Sequence, residues 1–297
     1  VYRYAPDDLV LLTRVHHIVS DGWSLAVFSR ELLELYTAFR EGRADTLPPV
    51  EAHATDHALW ENDRAATGRW KRDFAYWTEE LAGAPALTEL PIDRPHPARP
   101  SYRGARYSAW LEPQTCQALR GLAKRTGATQ FMVLLAALQI LLHRHSGQED
   151  VLIGSPVANR MDRRFGNTIG CLINNVVLRG ELGGDPTFSD FVQQVRSKVL
   201  SAHDHSEPPF DMVVEELRPE RSTRHAPVFQ VLFTLMTFPE LNANLPGTTS
   251  TDIPVETGAT RFDLSVEAVE RKGLLKLSYE YARDLFDRPT ILRLHQR

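Results

Sequence analysis

The stretch HHIVSDG at residues 16–22 decides how this sequence of 297 residues is interpreted. It follows the short apolar run Leu9–Val15, whose composition predicts a strand that is buried on both faces. A helix is predicted to follow at once, with Ser24 as its N-cap and Gly42 after its last turn. A loop between a buried strand and a helix holds its side chains on rigid elements and still exposes them. The stretch is therefore a candidate active site.

The residue types in this stretch suit proton transfer and hydrogen bonding. Adjacent histidines on an extended chain point to opposite sides, so one of His16 and His17 is expected to face inward and the other to face a cleft. An imidazole near neutral pH is suited to accept a proton from an amine. Asp21 is placed to orient a histidine or to pair with a distant arginine, and Gly22 allows a substrate to approach closely. The alternative interpretation is two ordinary histidines in a surface loop.

Composition argues against several other classes of function. The formal net charge is -4, so no overall basic field favours nucleic acid or an anionic membrane as a partner. The longest apolar stretch, Phe131–Leu142, is too short to span a bilayer. The two cysteines, Cys116 and Cys171, have no metal-ligand spacing and form no disulfide framework, so we expect buried or idle thiols and no metal site. We also expect no signal peptide and a cytoplasmic location.

Hydrophobic periodicity predicts an α/β protein in two layers, in which strands and helices alternate. Strands are predicted around residues 105–111, 151–155, 175–179 and 228–238, with a hairpin over 262–279 that turns at Lys272-Gly273. Helices are predicted around 113–125, 129–147 and 188–202, and from Asp287 onward. One amphipathic stretch contains Trp60, Trp70, Phe74, Tyr76 and Trp77. The proline-rich residues 85–100 are predicted to cross between two lobes.

Several segments match, in order, the motifs of one protein family. The first is HHIVSDGWS at residues 16–24, which is similar to the motif HHxxxDG. The others are LPIDRP and YRG at 90–95 and 102–104, IGSPVANR at 153–160, IGCLINN and LR at 169–175 and 178–179, a loose match at 203–210, and PVFQVLF at 227–233. The sequence resembles the condensation domains of non-ribosomal peptide synthetases, and the resemblance covers nearly its whole length.

The resemblance implies a fold of two lobes, each like chloramphenicol acetyltransferase, that form a V-shaped pseudo-dimer with a tunnel between them. Residues 1–95 would be a partial N-terminal lobe that carries the HHxxxDG loop, and residues 96–297 would be the C-terminal lobe. Family members carry a front part of the N-terminal lobe before the two histidines. We expect that part to be absent from this sequence, so that the N-terminal lobe is incomplete.

The resemblance also implies a reaction. A donor carrier protein would present a peptidyl or aminoacyl thioester, and an acceptor carrier protein an aminoacyl thioester, each on a phosphopantetheine arm. The acceptor amine would attack the donor carbonyl to form an amide, which makes the domain an acyltransferase. The implied partners are the upstream and downstream carrier proteins and a neighbouring adenylation domain. No cofactor would be bound by the domain itself.

Roles for single residues follow from the same resemblance. His17 would be the catalytic histidine, acting either as a general base or as a hydrogen-bonding positioner. Asp21 would pair with Arg160 to shape the loop, and His16 would be structural. The residues that support the motif would be His16, Asp21, Gly22 and Arg160, and those that line the tunnel would be Ser20, Trp23 and Asn174.

The sequence departs from the family pattern at Cys171-Leu172, where aromatic residues are common, and at Asn175, where threonine is common. Both changes would alter the tunnel lining. The replacement of the usual His-Gln at residues 203–205 gives His203 no catalytic role.

Alternative functions remain at this point. The alternatives are a degenerate, non-catalytic recruitment module, an epimerisation domain and a CoA-dependent acyltransferase. The intact histidines and Asp-Gly disfavour a degenerate domain, and Trp23-Ser24 after Asp-Gly favours condensation over epimerisation. The later motifs disfavour a CoA-dependent acyltransferase, and His16 argues against a heterocyclisation domain, which would have aspartate there.

Overall fold

The computed structural model describes residues 1–220, 222–236, 245, 247–251, 253 and 255–297. Contacts within the chain divide it into two compact units. The first consists mainly of Val1–Thr67 and Ala158–Ile173, and the second contains Gly68–Val157 and most of the described chain after Ile173.

The first unit is mostly helical. Its two strands, β1 (Tyr2–Ala5) and β2 (Asp8–Val10), pair in an antiparallel ribbon. Helix α1 (Gly22–Glu41) follows the HHIVSDG loop, and helix α2 (Ala54–Ala66) follows a long connection. Gly42 ends α1 in the left-handed conformation, as the sequence predicts, with a φ of 66°.

The predicted strand over Leu9–Val15 is wrong beyond Val10. Residues 11–16 have no regular secondary structure, and the side chains of Leu11 and Leu12 are exposed rather than buried. A strand that is apolar on both faces needs neighbours on both sides, and among the described residues only β1 pairs with this run. The predicted N-cap is also wrong, because Asp21 and not Ser24 caps α1.

The second unit contains a six-stranded mixed sheet with the strand order β3-β8-β7-β6-β4-β5. Its strands are β3 (Gly104–Trp110), β4 (Asp150–Val157), β5 (Asn174–Glu181), β6 (Val231–Met236), β7 (Leu264–Arg271) and β8 (Leu274–Ala282). Its helices are α3 (Lys71–Glu80), α4 (Pro113–Thr126), α5 (Gln130–Ser146), α6 (Phe188–Asp204), α7 (Phe210–Leu217) and α8 (Arg288–Gln296). The α/β class is thereby confirmed.

Most elements predicted for this unit are confirmed. The hairpin of β7 and β8 turns at Lys272 and Gly273, which both have positive φ. The predicted strand over residues 228–238 begins only at Val231, and residues 237 and 238 lie outside the described residues. The turn residues and the alternation of apolar and polar side chains therefore predict most strands of this sheet.

Helix α5 forms the centre of the core, as its apolar sequence predicts. Thr129 caps its start and Gly147 its end. Gln139 is the polar exception within the apolar helix, and its side-chain amide donates a hydrogen bond of 3.0 Å to the Leu178 carbonyl of β5. Gly180 leaves room for this amide, since a Cβ at that position would lie 2.7 Å from the side-chain carbon of Gln139.

Within the described ranges, no single helix is both long and apolar enough to cross a membrane. Helices α4 and α5 meet such a length and composition test only together, and they are bent by 106° at the break between them.

The amphipathic stretch from Trp60 to Trp77 forms two helices rather than one, and they belong to different units. Trp77 on α3 is buried in the core of the second unit and donates an indole hydrogen bond of 2.9 Å to the His205 carbonyl. The first compact unit takes in Val1–Thr67 together with later segments such as Ala158–Ile173. The boundary between lobes at residues 95 and 96 stays a prediction.

The proline-rich segment is docked rather than free. The Asp93 carboxylate accepts hydrogen bonds of 2.7 Å from the Asp287 amide and from the Thr290 hydroxyl at the start of α8. An orphan amide at a helix start needs such an acceptor. Sequence composition alone could not show that this segment caps a helix almost two hundred residues away in the chain.

Gly154 on β4 allows two of the family-like segments to pack together. A Cβ at Gly154 would overlap the ring of Phe229, which is fully buried and stacked 5.4 Å from Phe262. Overpacking a core site of this kind forces side chains off their preferred rotamers. The glycine is thus required by sterics rather than by backbone conformation.

We expect Gly154→Ala to lower the free energy of unfolding by about 1–3 kcal/mol, because the added methyl group must displace the Phe229 ring. Urea unfolding followed by circular dichroism measures this change. Gly121→Ala on α4 is the matched control, since the nearest obstacle there is only the tip of the Arg125 side chain at 3.3 Å. The free energy of unfolding of this control should rise by about 0.5–1 kcal/mol, because alanine is favoured over glycine within a helix. Equal stability of Gly154→Ala and the native chain would contradict this packing argument.

Candidate functional site

The two histidines lie in the loop before α1. His16 has an extended backbone, and its Nδ1 accepts a hydrogen bond of 3.1 Å from the Ile18 amide. His17 begins a single 3₁₀ turn that runs to Val19. Both imidazoles are exposed, so the expectation that one of them faces inward is wrong for the described structure. The backbone turns at His17 instead of continuing as a strand, which removes the alternation on which that expectation depended.

Asp21 organises the start of α1. Its Oδ1 accepts a hydrogen bond of 2.8 Å from the Ser24 amide, and the Ser24 hydroxyl lies 2.8 Å from the same oxygen. A side-chain oxygen at this position satisfies one of the orphan amides of the first helical turn. The Asp21 side chain is 0% exposed, so it also needs compensation for its charge.

Arg160 supplies that compensation. Its Nη1 donates 2.8 Å to Asp21 Oδ2, and its Nη2 donates 3.1 Å to Asp21 Oδ1, which is the two-pronged geometry of a strong ion pair. The Leu172 amide donates a further hydrogen bond of 3.0 Å to Oδ2. The contact between Asp21 and Arg160 that the family resemblance implies is present in the structure.

This environment fixes the charge of Asp21. Burial alone raises the pKa of the carboxyl, but the hydrogen bonds from Arg160 and Ser24 and the positive charge of Arg160 hold the pKa below its ordinary value. Asp21 is therefore ionised at neutral pH and has no proton to donate.

Ser24 links the helix to the segment around Gly170. Its hydroxyl oxygen lies 2.8 Å from the Gly170 carbonyl oxygen and accepts a hydrogen bond of 3.0 Å from the Gly170 amide. Gly170 is itself tightly enclosed, because a Cβ there would lie 2.8 Å from the Cβ of Ala54. The sequence suggested only a capping role for Ser24, and its long-range contact carries no local signal.

Cys171, which departs from the family pattern, lies beside His17. Its sulfur lies 3.6 Å from His17 Nδ1, within the range of a hydrogen bond that involves sulfur. Both side chains are exposed. Cys116 is buried, as expected, whereas Cys171 is exposed and contacts His17.

Of the three residues expected to line a tunnel, two lie in the same unit as His17. Ser20 is buried, and the Trp23 indole donates a hydrogen bond of 2.8 Å to the Gly166 carbonyl. The Arg160 guanidinium carbon lies 5.8 Å from the centre of the Trp23 ring, close enough for a cation–π contact. Gly22 is the first residue of α1.

Asn174 belongs to the second unit. Its side-chain nitrogen donates to the carbonyls of Ser206 and Pro208 at 2.9 and 2.6 Å, and its side-chain oxygen accepts from the Phe210 amide at 2.9 Å. Its amide thus fastens the start of β5 to the loop before α7. A role for Asn174 in a tunnel stays a prediction.

His57 on α2 was not singled out from the sequence. It is buried against Phe165, with ring centroids 4.8 Å apart, and its Nδ1 lies 3.6 Å from a carboxylate oxygen of Glu61. Burial lowers the pKa of His57, the positive charge of Arg160 lowers it further, and a hydrogen bond with the Asn159 backbone acts in the opposite direction. The protonated, positively charged form of His57 is therefore disfavoured beside Arg160.

Within the part of the chain that the structure describes, no group of three or more His, Cys, Asp or Glu side chains is arranged to hold a metal ion. The loop itself presents two exposed histidines beside a thiol, on a backbone held by an ionised carboxylate.

Comparisons with known proteins identify the family of this chain. A family model described as "Condensation domain" matches residues 1–297. A probable non-canonical nonribosomal peptide synthetase, CymA, from Salinispora arenicola (strain CNS-205) is 40% identical over 98% of this chain. The chain spans only 4% of that synthetase.

Solved structures show the same fold. The X-domain from teicoplanin biosynthesis has a TM-score of 0.86 and 30% identity, with 95% of this chain and 66% of that chain covered. The same X-domain has been solved in a complex with OxyB, with a TM-score of 0.82. The first condensation domain of the CDA synthetase has a TM-score of 0.81 and 27% identity, with 95% of this chain and 61% of that chain covered.

The family model spans all the residues that form the loop, its carboxylate and its arginine partner. On this evidence the chain belongs to the condensation-domain family of nonribosomal peptide synthetases.

Proposed function

We propose that this chain forms amide bonds between two thioesters carried on the phosphopantetheine arms of carrier proteins. The observation that carries the proposal is the exposed imidazole of His17 on a loop whose backbone is fixed by the buried Asp21–Arg160 pair. A reacting group must be held in place by packed neighbours and still reach its substrate. The loop meets both requirements.

The proposed reaction transfers an acyl group without a covalent enzyme intermediate. The acceptor amine attacks the donor carbonyl, a C–N bond forms, the C–S bond of the donor thioester breaks, and the amine proton ends on the leaving thiol. Asp21 is ionised and its oxygens are occupied, so it supports the loop and moves no proton. We assign the contact with the reacting groups to His17.

The partners belong to the same proposal. The donor and acceptor carrier proteins would bring the two thioesters, and an adenylation domain would load the acceptor carrier. The relatives are synthetases far longer than this chain, which supports such a context. No cofactor is assigned to the domain itself, and tunnel-lining roles for Ser20, Trp23 and Asn174 complete the proposal.

A second candidate function is recruitment of a partner protein without catalysis. It is favoured by the similarity to the X-domain from teicoplanin biosynthesis, which has been solved in a complex with OxyB. The intact His17 and the intact Asp21–Arg160 pair favour catalysis, because recruitment alone requires neither.

We expect His17→Ala to lower amide formation by at least about 100-fold, the effect of removing a positioned group from the reacting centre. The fold should stay intact because His17 is exposed. The measurement is product formation in a synthetase that contains this chain and loaded carrier proteins, followed by mass spectrometry. His16→Ala is the matched control and should lose much less activity. Undiminished product with His17→Ala would instead support recruitment without catalysis.

The Asp21–Arg160 pair should act as one structural element. Asp21→Ala or Arg160→Ala leaves a buried charge without its partner, and each should lower the free energy of unfolding by about 3–5 kcal/mol. A double-mutant cycle by urea unfolding should show strongly non-additive losses. The exposed pair of Arg164 and Asp162, also 2.8 Å apart, is the control, and its two single losses should be nearly additive because solvent screens the interaction.

The pH dependence of this effect has a defined sign. Folding lowers the pKa of Asp21, so its stabilising contribution is complete above the unfolded pKa of about 3.9 and is lost as the pH falls through the folded pKa. The stability difference between Asp21→Asn and the native chain should therefore shrink as the solution becomes more acidic than about pH 4. Additive losses in the cycle, or a difference that grows in acid, would show that the pair does not act in this way.

A further inference from the structure

The position of Cys171 is set from both sides by its backbone neighbours. The Gly170 amide donates to the Ser24 hydroxyl, and the Leu172 amide donates to the buried Asp21 carboxylate. The residue between these two anchors has little freedom to move. Its sulfur lies 3.6 Å from His17 Nδ1.

The chemistry of the two groups indicates which one donates. A thiol carries a weakly donating S–H, and its sulfur is a poor acceptor, whereas the unprotonated nitrogen of an imidazole is a good acceptor. The favoured arrangement is therefore Cys171 S–H donating to His17 Nδ1. The proton of the neutral imidazole must then lie on the other ring nitrogen, Nε2.

We propose that Cys171 is a positioning residue that holds His17 in the tautomer with a proton on Nε2. His17 then presents an N–H donor to the reacting groups rather than a basic lone pair. The proposal rests on the proposed function only for what this donor does in the reaction. The tautomer itself follows from the contact between two side chains of this chain.

A hydrogen-bond donor at Nε2 would stabilise the negative charge that develops during amide formation. As the acceptor amine attacks, the carbonyl oxygen of the donor thioester gains negative charge, and a pre-placed N–H group stabilises it. The C–N bond forms and the C–S bond breaks as before. The proton lost by the amine passes to the leaving sulfur and not to His17, since the remaining ring nitrogen is engaged by the thiol.

The tautomer can be measured without any activity. The full chain labelled with ¹⁵N-histidine is studied by long-range ¹H–¹⁵N correlation in mildly alkaline solution. Loss of a signal in His17→Ala assigns the residue. We expect the Nε2–H tautomer to dominate in the native chain. In Cys171→Ala the ratio of this tautomer to the Nδ1–H tautomer should fall by about threefold to tenfold, the effect of one ordinary hydrogen bond.

Two further variants separate positioning from a general structural effect. Cys171→Ser keeps a donor and should keep the Nε2–H tautomer. Ile169→Ala, which changes an exposed apolar residue of the same segment, should leave the tautomer unchanged. A native chain with the proton on Nδ1, or a tautomer ratio unaffected by Cys171→Ala, overturns the proposal.

An activity assay tests what the Nε2–H group of His17 does in the reaction. In a synthetase containing the chain, Cys171→Ala should lower kcat by about threefold to tenfold with KM unchanged, and Cys171→Ser should restore it. If Cys171→Ala changes the tautomer of His17 but leaves kcat unchanged, His17 does not act as a hydrogen-bond donor in the reaction. If the native chain shows the expected tautomer but forms no amide, the proposed function fails while the positioning by Cys171 stands.

Discussion

A carboxylate without access to water must find its hydrogen bonds inside the protein, and Asp21 finds five polar contacts with Ser24, Arg160 and Leu172. These contacts come from the first turn of α1 and from the segment that follows β4. The charge of Asp21 cannot be buried unless both are in place. The loop that carries His16 and His17 thus has a defined conformation because it ends at this carboxylate.

The second unit uses buried polar side chains in a similar way. Gln230 is fully buried, and its side-chain oxygen accepts a hydrogen bond of 2.8 Å from the Thr88 amide, which fixes the proline-rich segment. Asn174 fastens the start of β5 to the loop before α7. The apolar core supplies most of the burial, whereas these side chains select one conformation for backbone that has no regular structure. Several segments that resemble family motifs therefore contain a residue that satisfies distant backbone groups.

The sequence predicted what depends on local chemistry. Alternation and the Lys272-Gly273 turn specify the hairpin of β7 and β8, and the apolar run with Thr129 and Gly147 at its ends specifies α5. The errors concern partners that are remote in the chain. Leu11 and Leu12 have the composition of a buried strand, but composition does not tell whether a neighbouring strand exists to cover them.

The same division holds for the site. The resemblance identified Asp21 and Arg160 as a pair, which periodicity and composition could not do across more than a hundred residues. It did not identify the Leu172 amide or the Ser24 hydroxyl as further partners, because a backbone amide is the same in every sequence and a serine after Asp-Gly has an obvious local use. Contacts of this kind depend on the folded backbone and leave no pattern in the sequence.

The network around Asp21 also explains why position 171 can tune the site. Gly170 and Leu172 take part through their backbone amides, so these two hydrogen bonds do not depend on which side chain stands at position 171. A change of that side chain alters what faces His17 while the carboxylate, the arginine and the helix start keep their partners. A phenylalanine there would offer no donor to Nδ1, and the imidazole would be free to place its proton on either nitrogen. The rigid backbone thus separates the support of the loop, which requires Asp21, from the chemical state of the imidazole, which responds to one exposed neighbour.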